Sequence, residues 1–478
     1  MSEPFDVGLT FDDVLLMPRR SSVSTRRQVD ARTRLCRGIE LSIPIVSASM
    51  DTVTEAEMAI AIAREGGIGV IHRFLPVEDH VAQVRRVKRA ESVVIEAPYT
   101  VGPEATVRQA AAFMDEHGSA GVLVIDRDRR LLGIVTARDV LFEEDLERPV
   151  TAVMTPRSSL VTAPVGTPVE EAKQILHRHR IEKLPLVDAE GRLGGLVTSR
   201  DIQSRLKYPH ATKDLKGRLR VGAAIGVRGD FLERAEALSE TEADVLVIDV
   251  AHGHSDLAFR AVEAVRARCG DVSIIAGNVA TADGTRDLIA CGVDGVKVGV
   301  GPGSTCTTRV VTGAGVPQLT AILTCAEAAA ASRVPVIADG GIRGAGDLVK
   351  ALAAGAETAM LGNLLAGTEE SPGAFITRGG RQYKVYRGMA SLWTSAERRD
   401  MPQDDELLSE IIPEGIEALV PYRGKVSGVL TQLLGGLRSG MSYCGATTLD
   451  ELRARARFIR VTDAGVREGM PHDVDPLS

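Results

Sequence analysis

The sequence lacks the features that mark membrane, secreted or polyanion-binding proteins. No window of about eighteen residues is apolar and free of charge, so we expect no membrane span. The N-terminus has no charged segment followed by an apolar stretch, so we predict no secretory signal peptide and a cytoplasmic protein. The net charge is −7 and no long basic run occurs, so composition gives no case for nucleic-acid binding.

The cysteines also lack any spacing that predicts a zinc site or a disulfide framework. The six cysteines are scattered, without a CxxC pair or a neighbouring histidine cluster. Five of them are interpreted as ordinary small residues of the interior or the surface. Cys306 differs because it lies in a glycine-rich loop directly after a predicted strand.

With 478 residues, the chain is too long for one ordinary core and fits a large barrel plus a second domain. Continuous apolar runs alternate with alanine-rich helical stretches, which predicts a parallel sheet covered on both faces. About eight such units favour an α/β fold of the (β/α)8 TIM-barrel type over an open sheet. The predicted strands include 43–50, 67–72, 245–253, 273–280, 295–303, 334–342 and 358–363.

The barrel pattern is interrupted by an internal repeat with a period of about 62 residues. The segment GVLVIDRDRRLLGIVTARDVL (121–141) matches KLPLVDAEGRLGGLVTSRDIQ (183–203). A helix that begins at a threonine precedes each copy. Together the copies resemble a tandem CBS module, also called a Bateman module.

This resemblance divides the chain into three parts. The inserted module is predicted over 93–207, with repeats of about 97–149 and 156–207. The flanking segments, 1–92 and 208–478, must complete one barrel together, because neither supplies eight strands alone.

A CBS resemblance also implies a regulatory nucleotide site. In that family the threonine at the strand end and the aspartate three residues later hold the phosphates and ribose. The corresponding residues are Thr136, Asp139, Thr198 and Asp201. We therefore expect regulators of the ATP or GTP type, while the alternative is that these residues only cap the following helix.

The loop VGVGPGSTCTTR (298–309) carries the clearest sign of chemistry. Gly301 and Gly303 allow a sharp turn that exposes backbone amides and carbonyls. Ser304 and the neighbouring N–H groups could bind a phosphate. Cys306 stands among hydroxyl side chains, a position suited to an exposed nucleophile.

Two further motifs follow the strands that we count as seventh and eighth, where such barrels often bind phosphate. In ADGGIR, Asp339 can bridge two ribose hydroxyls, and Gly341 belongs to a turn that offers backbone amides. In MLGN, Gly362 and Asn363 occupy the equivalent turn. Each could be a capped βα turn, but together with the GPGS loop they predict a phosphate-binding cradle.

Motifs along nearly the whole chain resemble those of the IMP dehydrogenase and GMP reductase family. The most specific is GPGSTCTTR. The others include LTFDDVLL (9–16), AHGHS (251–255), AGNVAT (276–281), YRGMAS (386–391), PEGIE (413–417) and LLGGLRSGMSYCGA (433–446).

The resemblance implies a purine mononucleotide substrate whose C2 is attacked by Cys306. It implies a homotetramer of barrels, or an octamer, and a monovalent cation such as K⁺ at Gly301, Gly303 and Cys306. Asp249, Asn278 and Arg309 would lie on the side of the nicotinamide cofactor. The implied substrate-binding residues are Met50, Ser304, Asp339, Gly341, Gly362, Asn363, Tyr386, Gly388, Met389 and Ser391. Asn363 replaces a serine that is common in the family.

Two reactions share this site through a thioimidate between the cysteine and purine C2. A dehydrogenase hydrolyses the thioimidate to XMP, whereas a reductase forms it from GMP by releasing ammonia. Thr308 and Glu414 match the Thr–Glu pair that moves the ammonia proton, but bacterial dehydrogenases carry such a pair as well.

The segment 391–412 favours the reductase. Family dehydrogenases place an Arg-Tyr pair here, and the arginine activates the hydrolytic water. Alignment on QDD puts Asp400 and Met401 in those positions, although Arg398 and Arg399 lie nearby. The CBS insertion is typical of dehydrogenases and therefore favours that alternative. We give more importance to the missing base, because a dehydrogenase requires it for turnover.

We therefore expect a GMP reductase that acts in purine salvage and uses NADPH, although Asp249 beside a ribose would favour NADH or NAD. The first alternative is an IMP dehydrogenase that makes XMP from IMP, NAD and water. The second alternative is a non-catalytic CBS nucleotide sensor, which the presence of Cys306, Thr308 and Glu414 argues against.

Overall fold

The computed structural model describes residues 5–91, 95, 98–199, 202, 207–390 and 412–472. The chain divides into two compact units. One comprises 1–90, 210–214 and 219–478, and the other comprises 91–209 and 215–218. The division falls after residues 90 and 209, and a short segment after residue 214 additionally joins the inserted unit.

The larger unit is built on a closed barrel of eight parallel strands. Each strand pairs with the next along the chain, and β8 pairs with β1 through Ala359–Ile45, Met360–Val46 and Leu361–Ser47. The strands are β1 (Ile45–Ser47), β2 (Ile68–Ile71), β3 (Gly222–Ile225), β4 (Val245–Asp249), β5 (Ser273–Val279), β6 (Gly295–Val298), β7 (Val336–Asp339) and β8 (Thr358–Leu361). The predicted TIM barrel is confirmed, and the ADGGIR and MLGN motifs do follow β7 and β8.

The sequence-based strand assignment missed β3. Its residues, GAAI, are small and their run is short, so they carry a weak strand signal. They are nevertheless fully buried between β2 and β4. Small side chains suit this position because the barrel interior must also accommodate larger side chains from the other strands.

Helices surround the strands because each has one apolar side that packs on the sheet. Ser255 and Thr281 cap two of them, each accepting a hydrogen bond from a backbone N–H three residues ahead. The helices are α1 (Ala56–Arg64), α2 (Val77–Ala90), α3 (Phe231–Glu240), α4 (Asp256–Cys269), α5 (Ala282–Ala290), α6 (Gln318–Ala330), α7 (Ala345–Ala353) and α8 (Val426–Tyr443).

The amino-terminal end of the barrel is closed by a hairpin of Thr33–Cys36 and Ile39–Leu41. Its apolar side chains cluster with those that fill the barrel interior, including Val46 and Ile337. The backbone N–H of Arg37 donates to the carbonyl of Asp294, directly before β6. The opposite, carboxyl-terminal end is therefore where the barrel can accept a ligand.

Shorter elements complete the barrel unit. A three-stranded antiparallel sheet, Phe375–Arg378, Arg381–Arg387 and Glu417–Pro421, extends from the loop after β8. The other elements are the strands Val14–Leu16 and Phe458–Arg460 and the helices Phe11–Asp13, Arg26–Gln28, Thr308–Thr312, Asn363–Ala366, Leu449–Arg455 and Asp463–Glu468.

The inserted unit consists of two similar halves, each with a sheet and a helix against it. The elements of the first half are Thr100–Val101, Val107–His117, Gly121–Ile125, Leu131–Thr136, Ala137–Leu141, Val150–Ala152 and Thr155–Pro156. Those of the second half are Arg157–Ser159, Ala163–Pro164, Val169–His179, Lys183–Val187 and Leu193–Thr198. The main helix and both long strands recur 62 residues later, the arrangement expected of a CBS pair.

The halves meet around a pseudo-twofold axis. The N–H of Leu131 donates to the carbonyl of Gly191, and the N–H of Leu193 donates to the carbonyl of Arg129. Replacing each residue by its counterpart 62 positions away in the other half converts one of these hydrogen bonds into the other. Apolar side chains of both halves, among them Leu123, form one cluster beside them.

Within the first half, Thr136 and Asp139 bond to one another. Asp139 Oδ2 accepts hydrogen bonds from the N–H and the hydroxyl of Thr136, both at 2.7 Å. This is the capping arrangement that was the alternative to nucleotide binding. Thr198 ends the equivalent strand of the second half, and Asp201 lies outside the described residues.

Over the described ranges, no helix is long and apolar enough to cross a membrane.

Helix α8 approaches α7 closely because glycines lie at the contact. A Cβ atom added to Gly436 would come within 2.2 Å of Ala345 Cβ, and one added to Gly440 within 2.7 Å of Val349. The adjacent Gly435 has no atom within 4 Å of such a Cβ. The two neighbouring glycines of α8 therefore differ in what they tolerate.

We predict that Gly436→Ala lowers the free energy of unfolding by about 1–3 kcal/mol, because the helices must move apart. Gly435→Ala should instead raise it by roughly 0.5–1 kcal/mol, since alanine favours the helix without a clash. Calorimetric midpoints of thermal unfolding for both variants test this. Equal shifts would contradict the packing described here.

Candidate active site

One cavity of about 500 Å³ opens at the carboxyl-terminal ends of the barrel strands. Its walls are the loops after β1, β2 and β4 to β8, together with the segments around Tyr386 and Glu414. It brings together the predicted site residues Met50, Asp249, Asn278, Gly301, Gly303, Ser304, Cys306, Thr308, Arg309, Asp339, Gly341, Gly362, Asn363, Tyr386, Gly388, Met389 and Glu414. Ser391 lies outside the described residues.

The Cys306 loop leaves β6 by a turn that requires glycine. Gly301 has a φ of +79°, and a Cβ there would lie 2.5 Å from the Arg309 side chain. Arg309 braces this turn, since its Nε donates to the carbonyl of Val300 at 3.1 Å and its Nη2 donates to that of Val316. Burial lowers the pKa of the Arg309 guanidinium. Its contacts in the structure are thus with the loop backbone, while its predicted cofactor contact stays a prediction.

Cys306, Thr308 and Glu414 form one chain of hydrogen bonds. The Cys306 thiol donates to Thr308 Oγ1 over 3.1 Å, and the Thr308 hydroxyl donates to Glu414 Oε2 over 2.7 Å. A proton can therefore pass between the thiol and the carboxylate through the hydroxyl. This geometry is what a nucleophile with an adjacent general base requires.

Backbone pairing holds Glu414 beside this loop, although the two are more than a hundred residues apart in sequence. The N–H of Thr307 donates to the carbonyl of Glu414 at 2.9 Å, and the N–H of Ile416 donates to the carbonyl of Thr305 at 2.9 Å. The N–H of Gly388 donates to the carbonyl of Ile416 at 3.0 Å. The backbone of Glu414 is thus held beside the Cys306 loop, which places its carboxylate within hydrogen-bond distance of the Thr308 hydroxyl.

The other cysteines are less suited to nucleophilic chemistry. Burial raises the pKa of the Cys36 thiol to about 12 and that of the Cys325 thiol to about 11. Both thiols are therefore protonated at neutral pH. Cys306, in contrast, is partly exposed in the cavity.

The turn after β7 packs directly against the Cys306 loop. Gly340 and Gly341 both have a positive φ, of +87° and +79°. A Cβ on Gly340 would lie 2.9 Å from Pro302 and 3.2 Å from the backbone nitrogen of Gly303. The turn after β7 and the Cys306 loop, both predicted to belong to the phosphate cradle, are therefore so close that backbone amide groups of the two lie side by side.

The turn after β8 also lines the cavity. A Cβ on Gly362 would lie 2.9 Å from the Tyr386 hydroxyl and 3.1 Å from Met50 Sδ. The Tyr386 hydroxyl itself lies 3.7 Å from Met50 Sδ, and burial raises its pKa. Asn363 begins the short helix that follows, so backbone N–H groups at this terminus face the cavity beside the turn after β7.

A buried lysine joins the two aspartates of the site. Lys297 Nζ lies 2.8 Å from Asp249 Oδ1 and 2.6 Å from Asp339 Oδ2. Burial opposes the charge of Lys297, but the two carboxylates outweigh this effect and raise its pKa. Burial likewise disfavours ionisation of Asp249, yet Lys297 and the Ser49 hydroxyl lower the pKa of that carboxyl.

Lys297 was missed at the sequence level. It interrupts the apolar strand GVKV, and a charged residue inside a fully buried strand is a signal that could have identified it. Gln318 was also missed; its amide donates to the carbonyls of Val298 and Asp339 at 3.0 and 3.1 Å. No local pattern identifies Gln318, because it begins helix α6 while its hydrogen-bond partners lie at the ends of β6 and β7.

Asn278 has the properties needed to bind a polar ligand. Its Nδ2 donates to the carbonyl of Gly299 at 2.7 Å and to Asp339 Oδ2 at 3.0 Å. Its Oδ1 is buried and accepts no hydrogen bond from the residues that the structure describes. A buried acceptor of this kind fits an N–H or O–H donor, such as the carboxamide or a ribose hydroxyl of a nicotinamide cofactor.

The predicted cation site stays a prediction. Its ligands would be backbone carbonyls of the Cys306 loop, the oxygen donors that hard cations prefer. The carbonyl of Gly303 already accepts the N–H of Cys306 at 3.1 Å, which leaves one lone pair for an ion. The segment 391–411, with Arg398, Arg399 and Asp400, lies outside the described residues.

Comparison with known proteins agrees with this geometry. A family model described as IMP dehydrogenase / GMP reductase domain matches residues 8–472. The inosine-5′-monophosphate dehydrogenase of Nitrosopumilus maritimus is 51% identical, with 98% of this chain and 99% of the relative covered. That of Aquifex aeolicus is 54% identical over 98% of this chain and 96% of the relative.

Solved structures of a GMP reductase resemble the whole chain. A cysteine-to-alanine variant of the Trypanosoma brucei enzyme in complex with guanosine 5′-monophosphate has a TM-score of 0.92 at 45% identity, covering 99% of both chains. The same enzyme in complex with guanosine 5′-triphosphate has a TM-score of 0.82 at 42% identity, covering 96% of this chain and 99% of the other. The chain therefore belongs to the IMP dehydrogenase / GMP reductase family, whose members are oxidoreductases that use a nicotinamide cofactor.

Proposed function

We propose that this protein is a GMP reductase, which converts GMP, NADPH and a proton to IMP, ammonia and NADP⁺. The observation that carries the proposal is a combination of residues. The proton-transfer chain Cys306–Thr308–Glu414 is complete, while the segment 391–412 has no Arg-Tyr pair to activate water. A thioimidate formed in this site would thus have a route for ammonia but no evident base for hydrolysis.

The hydrogen-bond chain accounts for the proton transfers. As Cys306 Sγ bonds to purine C2, its proton passes through Thr308 to Glu414. The C2–N bond then breaks, and Glu414 returns the proton through Thr308 to the departing amine, which leaves as ammonia. A nicotinamide cofactor held near Asn278 and Asp249 would supply the hydride that C2 accepts as its bond to Cys306 Sγ breaks, which would give IMP and the free thiolate.

The surroundings of Cys306 position the nucleotide for this chemistry. Ser304 and the turns at Gly341 and Gly362 would hold the phosphate, and Asp339 would hold the ribose. The purine C2 must lie about 3–3.5 Å from the sulfur for attack, so holding the phosphate and ribose does much of the catalytic work. Asn278 Oδ1 and Asp249 would face the cofactor.

The relatives bear on this proposal in two ways. The CBS-like insertion argues for a dehydrogenase only if reductases lack it, and the Trypanosoma brucei GMP reductase matches 99% of this chain, insertion included. On the other side, relatives about 50% identical are named IMP dehydrogenases. That observation makes oxidation of IMP to XMP, with Arg398 or Arg399 as the base, the second candidate function.

We further propose that the inserted unit regulates the enzyme by binding purine nucleotides. The repeated Thr-x-x-Asp pattern supports this, as does the structure of the Trypanosoma brucei GMP reductase with guanosine 5′-triphosphate. Thr136 and Asp139 already hydrogen-bond to each other, so a ribose would have to share or replace that bond. Regulation then follows from the difference in nucleotide affinity between two states of the protein.

Cys306→Ala should abolish turnover, because no other group can form the thioimidate. Affinity for GMP, measured calorimetrically, should stay within about threefold, since the phosphate and ribose contacts remain. Cys291→Ala, at the end of α5 and outside the cavity, is the matched control and should keep full activity. Activity of Cys306→Ala within tenfold of the unmodified enzyme would refute the assignment.

We expect GMP reduction to exceed IMP oxidation by at least about a hundredfold, because general-base help is typically worth 10²–10⁴ in rate. Parallel assays with GMP and NADPH and with IMP and NAD measure this ratio. Glu414→Gln should slow ammonia release more than hydride transfer. Rapid XMP formation that is lost in Arg398→Ala or Arg399→Ala would identify a dehydrogenase instead.

Removal of residues 93–207 should leave an active enzyme that no longer responds to ATP or GTP. The reason is that the inserted unit contributes no residue to the proposed chemistry. The full-length chain should respond in opposite directions to the two nucleotides, as seen in initial rates. A truncated form that keeps the same responses would locate regulation in the barrel unit.

A further inference from the structure

A small cluster of charged side chains lies at the cavity, inside the barrel. Lys297 is 2% exposed, and its ammonium group contacts one carboxylate at the end of β4 and another at the end of β7. A buried lysine with a single positive charge between two aspartates is costly unless every charge is compensated. Such an arrangement in the floor of a cavity is more typical of a functional site than of a structural core.

The strand beside Lys297 provides the space that its side chain occupies. Gly277 in β5 is the neighbour of Lys297 in the sheet. A Cβ at this position would lie 2.7 Å from Lys297 Cβ and 2.4 Å from the Lys297 carbonyl oxygen. The AGNVAT motif thus combines a glycine that admits the lysine with Asn278, which bonds to the same aspartate.

The hydrogen bonds within the protein go to only one of the two carboxylate oxygens of Asp339. Lys297 Nζ and Asn278 Nδ2 both bond to Oδ2, at 2.6 and 3.0 Å. Oδ1 is therefore the oxygen available to a ribose hydroxyl in the cavity. With Oδ2 fixed by an ammonium, the carboxylate cannot rotate freely, and a hydroxyl meets an acceptor that is already charged and oriented.

We propose that Lys297 is a positioning residue that holds Asp339 charged and oriented toward the ribose hydroxyls of the mononucleotide, and holds Asp249 on the cofactor side through the same ammonium group. The inference rests on the proposed mononucleotide substrate and on the proposed contact of Asp339 with its ribose. In this proposal Lys297, which is almost fully buried, acts through the two carboxylates that it contacts. Lys297 therefore affects how well the site discriminates between a ribose and a 2′-deoxyribose, and not only how the protein folds.

The test is the ratio of the dissociation constants of 2′-deoxy-GMP and GMP, measured calorimetrically without cofactor. In the unmodified enzyme the missing hydroxyl should weaken binding roughly tenfold to a hundredfold, the range for a hydrogen bond to a charged group. In Lys297→Met, which keeps the length of the side chain but not its charge, the ratio should fall to within about twofold of one. A folded Lys297→Met protein with the unmodified ratio would overturn the proposal.

Asp249→Asn is the matched control, because it alters the same buried cluster but leaves the Lys297–Asp339 contact in place. Its ratio should equal that of the unmodified enzyme, and a loss of discrimination in this variant would overturn the specific role of Lys297. If Lys297→Met does not fold, the double variant Lys297→Met, Asp249→Asn restores the net charge of the cluster. The double variant should also have lost discrimination, and retention of the unmodified ratio would overturn the proposal.

The reaction proposed above is tested separately from this role. An unmodified enzyme that reduces GMP but binds both nucleotides equally would overturn the Asp339 contact, and with it this inference, without affecting the reductase assignment. An enzyme that instead oxidises IMP would overturn the reductase assignment. The role of Lys297 is then decided by the same ratio measured with IMP and 2′-deoxy-IMP.

Discussion

Closure of the parallel barrel is the constraint on which the rest of this molecule depends. The pairing of β8 with β1 joins residues more than three hundred positions apart, and it directs the carboxyl ends of all eight strands to one rim. Because side chains and turns at those ends share that rim, residues as distant in sequence as Met50 and Glu414 line the same cavity. The insertion between β2 and β3 is tolerated because it enters through a connection and leaves the strand order unchanged.

A second constraint is electrostatic. The barrel interior is packed with apolar side chains except near the cavity, where Lys297 lies between Asp249 and Asp339. A buried ammonium group such as that of Lys297 persists only when its partners are close and well oriented. The tight packing that raises the free-energy cost of burying these charges also restricts the motion of the side chains. Carboxylates that are already ordered lose less entropy when a ligand binds to them.

In the proposed chemistry, the two candidate reactions share one covalent intermediate, and the physical difference between them is the fate of that thioimidate. Hydrolysis requires a water molecule and a base next to the C2 atom, whereas reduction requires that water be kept from it. The hydrogen-bond chain from Cys306 through Thr308 to Glu414 would allow proton transfer in either direction. On this proposal, the choice of reaction would depend on the groups that surround the purine rather than on the strands of the barrel.

The sequence alone determined the fold and most of the candidate site, for a physical reason. Apolar runs that alternate with helices, the 62-residue repeat and the strand-end glycines are local patterns, and each is dictated by backbone geometry within a few residues. Motifs such as GPGSTCTTR are recognisable because the turn and the candidate nucleophile that they contain lie close together in the chain. The short strand β3 was not predicted, because its four small residues give almost no local signal for a strand.

Only the tertiary structure decided which groups from separate strands meet. The contact of Lys297 with two aspartates, the bond of Gln318 to two strand carbonyls and the bridge that fixes Glu414 beside Thr307 each join distant segments. The bracing of the Cys306 loop by Arg309 likewise depends on how that loop folds back on itself. Such contacts are set by barrel closure and packing, which act on the whole chain at once, and no local spacing of residues encodes them.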